Sequence, residues 1–306
     1  MNILIYGIGA MGSIYASLLS RAGNKVFVVD KWEDHINEIK KNGLKVEGAS
    51  GTNTNKSLEA FTEVPIGIEF GLIIISTKAS GVSDAAIEIK KIVKENTIVI
   101  SIQNGIGSSE EIKNHIPQKN LLIGVADGFG ASIIKPGHIH HNAMKLIRFG
   151  ELEGGITKRL NNVKNLWLDA GFNAVAFENI NQLIWEKFIC NVTFSAPCTV
   201  YNCTVGELIN NDSYWKVANG CTLEAYEISE LKGITLSFTE PLKYVKDFGA
   251  KMPNAKPSML LDHLSKRKSE INFINGRVEL MGEELGVKTP YNFILSSIVR
   301  NNEQKF

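Results

Sequence analysis

Six residues near the start of the chain, Gly7-Ile8-Gly9-Ala10-Met11-Gly12, form a G-x-G-x-x-G pattern. They stand between a short apolar stretch, Asn2–Tyr6, and a stretch with helical spacing that runs from Ala10 to Arg21 and stops at Gly23. A strand that feeds a glycine turn and then a helix is the context in which this pattern binds a dinucleotide. The first glycine allows the tight turn, the second lets backbone amides approach a pyrophosphate, and the third lets helix and strand pack closely. The pyrophosphate then sits at the positive end of the helix. Gly7, Ile8, Gly9, Ala10, Met11 and Gly12 are therefore the candidate phosphate cradle.

The rest of the first half continues the theme. Lys25–Asp30 reads as a β-branched strand, Glu33–Lys41 as an amphipathic helix, and Gly71–Thr77 as a continuous apolar strand. Val82–Lys94 reads as a helix, and Thr97–Ile102 and Asn120–Val125 as further buried strands. This alternation predicts an α/β Rossmann domain with a doubly wound, mainly parallel sheet. Ala131–Ile134, His138–His141 and Lys145–Phe149 are short, broken by Pro136-Gly137 and Asn142, and read as an antiparallel meander attached to that sheet. Ile156–Ala170 reads as a helix and Asn173–Phe177 as the last strand. From Asn179 onward the strand signal ends. Segments 179–196, 206–232, 239–250 and 257–285 fit helices, with breaks near Pro197, Gly233 and Pro253, so the second domain is expected to be all-α. The expected division is 1–178 and 179–306.

Composition narrows the function. With 33 Lys plus Arg against 32 Asp plus Glu the formal charge is +1, which argues against a dedicated nucleic-acid binder. No apolar run reaches the length of a bilayer span. The stretch before Gly7 has no basic region, so a secretory signal is not expected. Cys190, Cys198, Cys203 and Cys221 form no C-x-x-C pair and fit reduced thiols of a cytoplasmic protein. His138, His140 and His141 lack a third ligand of known proximity, so no metal is expected.

Asp30 closes the second strand 18 residues after Gly12. An acid there accepts hydrogen bonds from ribose hydroxyls and repels a 2′-phosphate, favouring NAD(H). Lys31 beside it could instead neutralise that phosphate, which leaves NADP(H) open. Lys78 and Asn104 both follow strand C-termini, where ligands bind in open α/β sheets; a surface lysine and an Asx turn would read the same way. Lys187, Asn191 and Ser195 are spaced i, i+4, i+8 and share one helix face. A lysine among apolar neighbours is partly desolvated, which lowers its pKa toward acid–base use, though a lysine that snorkels from an apolar helix reads similarly. Ser258 and Asp262 share a face. Glu270 joins them on one ligand only if the helix bends or ends between them.

Taken together, these segments resemble the ketopantoate reductase (2-dehydropantoate 2-reductase) family over nearly the whole chain. The shared motifs are Gly7–Gly12, Thr77-Lys78-Ala79, Gln103-Asn104-Gly105, and Pro136-Gly137 with His141. They continue with Trp185-Glu186-Lys187 and Asn191, then Gly206-Glu207-Leu208. Ser258-Met259-Leu260 with Asp262 and Glu270–Gly276 complete the set. The resemblance implies a Rossmann domain followed by a helical domain of the 6-phosphogluconate dehydrogenase type. It implies reduction of a small 2-oxo acid to a D-2-hydroxy acid by a nicotinamide cofactor. Lys187 would be the general acid and Glu270 its orienting partner. Asn191, Ser195, Ser258, Asp262 and Asn104 would meet substrate, and Lys78 and Asn104 would lie beside the cofactor.

Two positions depart from the family pattern: Ser195 where Asn is common, and Lys31, preceded by Asp30, where Arg is common. Both touch what separates a ketopantoate reductase from related NAD-dependent D-2-hydroxyacid dehydrogenases that take other branched or aromatic 2-oxo acids. A nucleotide sensor without turnover is a third reading; Lys187 and Glu270 argue against it. A homodimer through the helical domain is left open, and neither nucleic acid nor membrane is expected as a partner.

Overall fold

The computed structural model describes residues 1–306, and the chain divides into two units. One comprises Met1–Gln103 and Ser108–Ile180, the other Asn104–Gly107 and Asn181–Phe306.

The first unit begins with β1 (Asn2–Tyr6), α1 (Ala10–Arg21), β2 (Lys25–Val29) and α2 (Glu33–Asn42). Next come β3 (Leu44–Gly48), β4 (Asn53–Asn55), β5 (Glu59–Phe61), β6 (Leu72–Ile75), α3 (Val82–Ile89) and β7 (Ile98–Ser101). After α4 (Ser108–Lys113) follow β8 (Leu121–Asp127), β9 (Gly130–Lys135), β10 (His138–Ala143), β11 (Leu146–Glu151), α5 (Lys158–Asp169) and β12 (Ala174–Ala176). The main sheet has eight strands in the order β12-β11-β8-β7-β6-β1-β2-β5. Every pairing from β8 to β5 is parallel, and β11 turns the direction by pairing antiparallel with β8. Ile3, Leu4, Ile5, Ile73 and Ile74 are fully buried, as parallel strands covered on both faces require. The expected Rossmann architecture is therefore present. Its order reverses beside β1, whose neighbours are β2 on one side and β6 on the other. In open α/β sheets ligands bind at such a reversal.

The expected meander needs correction. Only β11 joins the main sheet; β9 and β10 form a hairpin in a separate four-stranded sheet of order β4-β3-β10-β9. There β10 runs parallel to β3, with His138 opposite Lys45 and Ile139 opposite Val46. The partners β3 and β4 (LKVEG and NTN) are short and polar, so no apolar run announces them. Leu44 and Val46 of β3 and Ile139 of β10 are buried in one cluster with Ile14 and Leu18 of α1. Packing on α1, not strand propensity, holds this small sheet.

The second unit contains α6 (Ile180–Tyr201), α7 (Val205–Asn210), α8 (Asp212–Leu231) and α9 (Pro241–Ala250). It continues with α10 (Ser258–Leu264), α11 (Asn275–Leu285) and α12 (Pro290–Glu303). It has no strands, as expected. Thr204 and Glu207 form a capping box at the start of α7, and the Asn211 side chain accepts from the amides of Ser213 and Tyr214 to open α8. Two expectations fail. The helix does not break at Pro197 but runs on to Tyr201. A proline removes one ladder bond, yet every residue from Val192 to Cys198 is buried, and packing overrides the local penalty. Conversely, 257–285 is not one helix. The chain leaves α10 after Leu264, Lys266 takes φ +54°, and a 3-10 turn at Ile271–Phe273 precedes α11. No helix is long and apolar enough to cross a membrane.

Candidate active site

The glycine turn shows what each glycine is for. Gly7 has φ +93°, and a Cβ there would lie 2.5 Å from the Thr77 amide nitrogen. A Cβ on Gly12 would lie 2.0 Å from the Gly7 carbonyl oxygen. The fold needs both. At Gly9 a Cβ would meet nothing within 4 Å. The fold leaves that space open, so the glycine there fits a ligand that approaches the backbone. Gly9 is the N-cap of α1, no side chain caps that helix, and its first turn holds no acid. An anion such as the pyrophosphate of a dinucleotide would fit that opening.

Neighbouring polar groups fix the turn. Ser76 Oγ donates to the Gly7 carbonyl at 2.7 Å. Ser13 Oγ donates to the Ile8 carbonyl at 3.1 Å and lies 3.5 Å from His35 Nε2. His35 Nδ1 in turn accepts from the Gly137 amide at 3.0 Å. The Pro136-Gly137 turn of the small sheet therefore supports the cradle through one buried histidine. Gln103 Nε2 donates to the carbonyls of Ile75 (2.7 Å) and Thr77 (3.3 Å), bracing the ends of β6 and β7.

At the end of β2, Asp30 Oδ1 accepts from the Trp32 amide at 3.0 Å. Lys31 Nζ reaches two carboxylates of α3, Asp84 at 3.4 Å and Glu88 at 3.6 Å. Lys78 is exposed just beyond β6.

Asn104 belongs to the helical unit. Its neighbour Ile106 donates from the amide to the Phe273 carbonyl at 3.1 Å. Gly105 has φ +83°, and a Cβ on it would stand 2.3 Å from that same oxygen. The tight glycine contact thus brings the Asn104 loop onto the 271–273 turn that directly follows Glu270.

On α6, residues 185–198 are buried apart from Lys187 and Asn191. Those two are half-buried and one turn apart, a polar opening in an otherwise buried stretch of the helix. Ser195, one further turn along, is 3% exposed. Glu270 is half-buried. The break after α10 supplies the interruption that Ser258, Asp262 and Glu270 require if they are to meet one ligand. Asp262 Oδ1 also accepts from Arg267 Nε at 3.0 Å.

Several supporting contacts carry no sequence signal. Glu303 Oε1 accepts from the Ser269 amide (2.8 Å) and hydroxyl (2.6 Å) and lies 3.1 Å from His263 Nε2, anchoring the turn before Glu270. Glu186, beside Lys187, is buried and accepts from the Ser237 amide at 2.7 Å and from Gln182 Nε2 at 3.0 Å. Glu224 accepts from the amides of Tyr291 and Asn292 at the start of α12; burial pushes its carboxyl above the usual range despite those bonds. His138 Nε2 lies 2.9 Å from Glu47, and His141 Nδ1 2.9 Å from Ser50 Oγ.

Comparison with known proteins follows the same two-part division. The sequence profile described as "Ketopantoate reductase PanE/ApbA" matches residues 3–154, and the profile for the C-terminal part of that family matches residues 179–303. A 2-dehydropantoate 2-reductase of Streptococcus pyogenes serotype M1 is 33% identical over 304 residues, covering 99% of this chain and 98% of that one. One from Pyrococcus horikoshii is 30% identical with the same coverage. Among solved structures, D-mandelate dehydrogenase with NADH and anilino(oxo)acetate superposes with a TM-score of 0.91 at 26% identity, covering 100% of this chain and 99% of that one.

Proposed function

The chain belongs to the ketopantoate reductase family, and from that premise we propose that it reduces a branched 2-oxo acid to a D-2-hydroxy acid, with 2-dehydropantoate as the leading substrate. It is a nicotinamide-dependent oxidoreductase acting on a CH–OH group. The observation that carries the assignment of roles is the opening on α6, where Lys187 and Asn191 alone interrupt a buried stretch.

A bound reduced nicotinamide supplies the hydride. Gly7–Gly12 hold its pyrophosphate, with Gly9 giving the close approach, and Lys78 and Asn104 lie beside its ribose and nicotinamide. Asp30 accepts from the ribose hydroxyls, which favours NADH; NADPH use would run through Lys31. Lys187 donates a proton to the carbonyl oxygen as negative charge develops there. Glu270 orients that ammonium. Asn191, Ser195, Ser258, Asp262 and Asn104 hold the hydroxyl and carboxylate oxygens of the substrate. Residues 1–178 form the dinucleotide domain and 179–306 the catalytic one. The four free, buried cysteines fit a cytoplasmic enzyme.

A second reading, an NAD-dependent D-2-hydroxyacid dehydrogenase for other branched or aromatic 2-oxo acids, is favoured by Ser195 in place of the family's Asn and by the likeness to D-mandelate dehydrogenase. Loss of reduced-nicotinamide absorbance, measured with NADH and NADPH against 2-dehydropantoate, 2-oxoisocaproate and an aromatic 2-oxo acid, separates the readings. Efficient turnover of 2-dehydropantoate with poor use of the others supports the first. NADH-dependent turnover confined to the others supports the second. Tight nucleotide binding with no turnover of any would overturn both.

A further inference from the structure

We propose that Asp84 and Glu88 of α3 are determinants of nucleotide selectivity, acting by holding Lys31 away from the 2′ position of the adenosine ribose. This deepens the reading of Asp30 as a ribose acceptor and rests on it.

The two acids are one turn apart and share a face of α3. Lys31 Nζ sits 3.4 Å from Asp84 Oδ2 and 3.6 Å from Glu88 Oε1. Glu88 also stands close enough to the Tyr6 hydroxyl at the end of β1 for its charge to act on that phenol. Tyr6 itself is 4% exposed. Burial first, then Glu88, Asp84 and Asp30, raise the Tyr6 phenol well above its usual range.

Lysine is a compact charge on a flexible stem and could swing toward a 2′-phosphate beside Asp30. Here two carboxylates hold one ammonium. A single exposed pair would hold it weakly, but two acids on one helix face give it a standing alternative to the phosphate. A 2′-phosphate entering this place must displace Lys31 from Asp84 and Glu88 and then face Asp30 as well. A ribose hydroxyl has no such cost.

The test is binding rather than turnover. Calorimetric titration of NADH, NADPH and 2′,5′-ADP is carried out on the wild type, the double variant Asp84→Asn/Glu88→Gln, Lys31→Ala, and the triple variant. Asn and Gln keep the size of the two side chains while removing their charge, and thermal melts report folding. Releasing Lys31 is expected to lower the ratio of NADPH to NADH dissociation constants by about tenfold, with 2′,5′-ADP tightening in parallel. In the Lys31→Ala background the same two changes are expected to move that ratio by less than about threefold. Equal shifts with and without Lys31 would overturn the proposal, since the acids would then act by bulk charge; no shift in the double variant would overturn it too. A wild type that binds NADPH more tightly than NADH would instead overturn the NADH preference, while the double variant would still decide on the clamp.

Discussion

Asn275 donates from Nδ2 to the main-chain oxygen of Val192 at 2.9 Å, across 83 residues of sequence. The same amide nitrogen donates to Asn292 Oδ1 at 2.8 Å. Asn292 continues the chain to Glu224 Oε2 at 2.7 Å and to the Cys221 carbonyl at 3.2 Å. Asn275 and Asn292 are fully buried. The helix that carries Lys187 and Asn191 is therefore tied, one residue past Asn191, to the start of α11 and to the start of α12. Buried polar chains of this kind fix one arrangement because each broken link leaves groups unpaired in low dielectric.

Asn275→Ala should consequently cost about 1–3 kcal/mol of unfolding free energy, the usual penalty for stranding buried partners. Asn275→Asp should cost at least as much, since a carboxylate cannot donate to either oxygen. Urea unfolding followed by circular dichroism measures both. A midpoint and slope equal to the wild type would mean that the tie contributes nothing.

If Lys187 is the acid, Lys187→Ala should lower kcat by a factor on the order of 10²–10⁴ while the protein stays folded. Lys187→Arg should fail to restore it, because a guanidinium keeps its proton at any working pH. Asn191→Ala, one turn along, should act mainly on KM for the 2-oxo acid. Steady-state kinetics on variants with normal melting curves decide this; near-normal turnover of the alanine variant would remove Lys187 from the acid role.

Much of this was legible in the sequence, and the part that was not has a physical pattern. The glycine turn, the buried parallel strands and the i, i+4 pair on α6 announce themselves because they rest on local periodicity and on residues with unusual backbone freedom. The small sheet was missed because Asn53–Asn55 and Leu44–Gly48 look like polar loop and gain strand character only by packing on α1. The helix through Pro197 was missed because burial outweighed a local rule, and the break after Leu264 because nothing periodic marks a lysine at positive φ. Glu303, Glu186 and Asn275 act across the chain, and a single sequence carries no trace of such partners. Glu270 is legible beside Ser258 and Asp262 only on condition of a helix break, and its role only through resemblance; the turn that sets it, pinned by Glu303, emerges from tertiary contacts.

The two kinds of glycine in the turn predict opposite failures. Gly12→Ala places a Cβ 2.0 Å from the Gly7 carbonyl oxygen and should destabilise or prevent folding. Gly9→Ala meets open space and should fold, losing no more than about 1 kcal/mol for a poorer N-cap. It should nevertheless raise the NADH dissociation constant at least about tenfold, because the methyl occupies the approach to the pyrophosphate. Melting curves and nucleotide titration read the two effects separately. Unchanged NADH affinity in a folded Gly9→Ala protein would mean that the cradle does not hold the pyrophosphate.

His35 predicts a pH dependence. Its ring is fully buried, stacks on Trp32 at 4.7 Å between centroids, and accepts the Gly137 amide on Nδ1 at 3.0 Å. Burial lowers its pKa below the ordinary histidine value, against a smaller opposing pull from Asp30. The folded protein thus keeps the ring neutral where the unfolded chain would take a proton. The stability this confers is complete above the unfolded value of about pH 6.5 and is lost as the pH falls below it, with a slope of at most about 1.4 kcal/mol per pH unit for one group. His141, also lowered by burial, adds to the loss in the same window. Unfolding free energies from about pH 7.5 down to about pH 5 should therefore decline in the wild type and decline less steeply in His35→Gln, which cannot titrate. The difference between the two proteins isolates His35 from His141 and from the surface carboxylates. If that difference is constant across the window, the ring is not held neutral, and its bond from Gly137 does not depend on an unprotonated Nδ1.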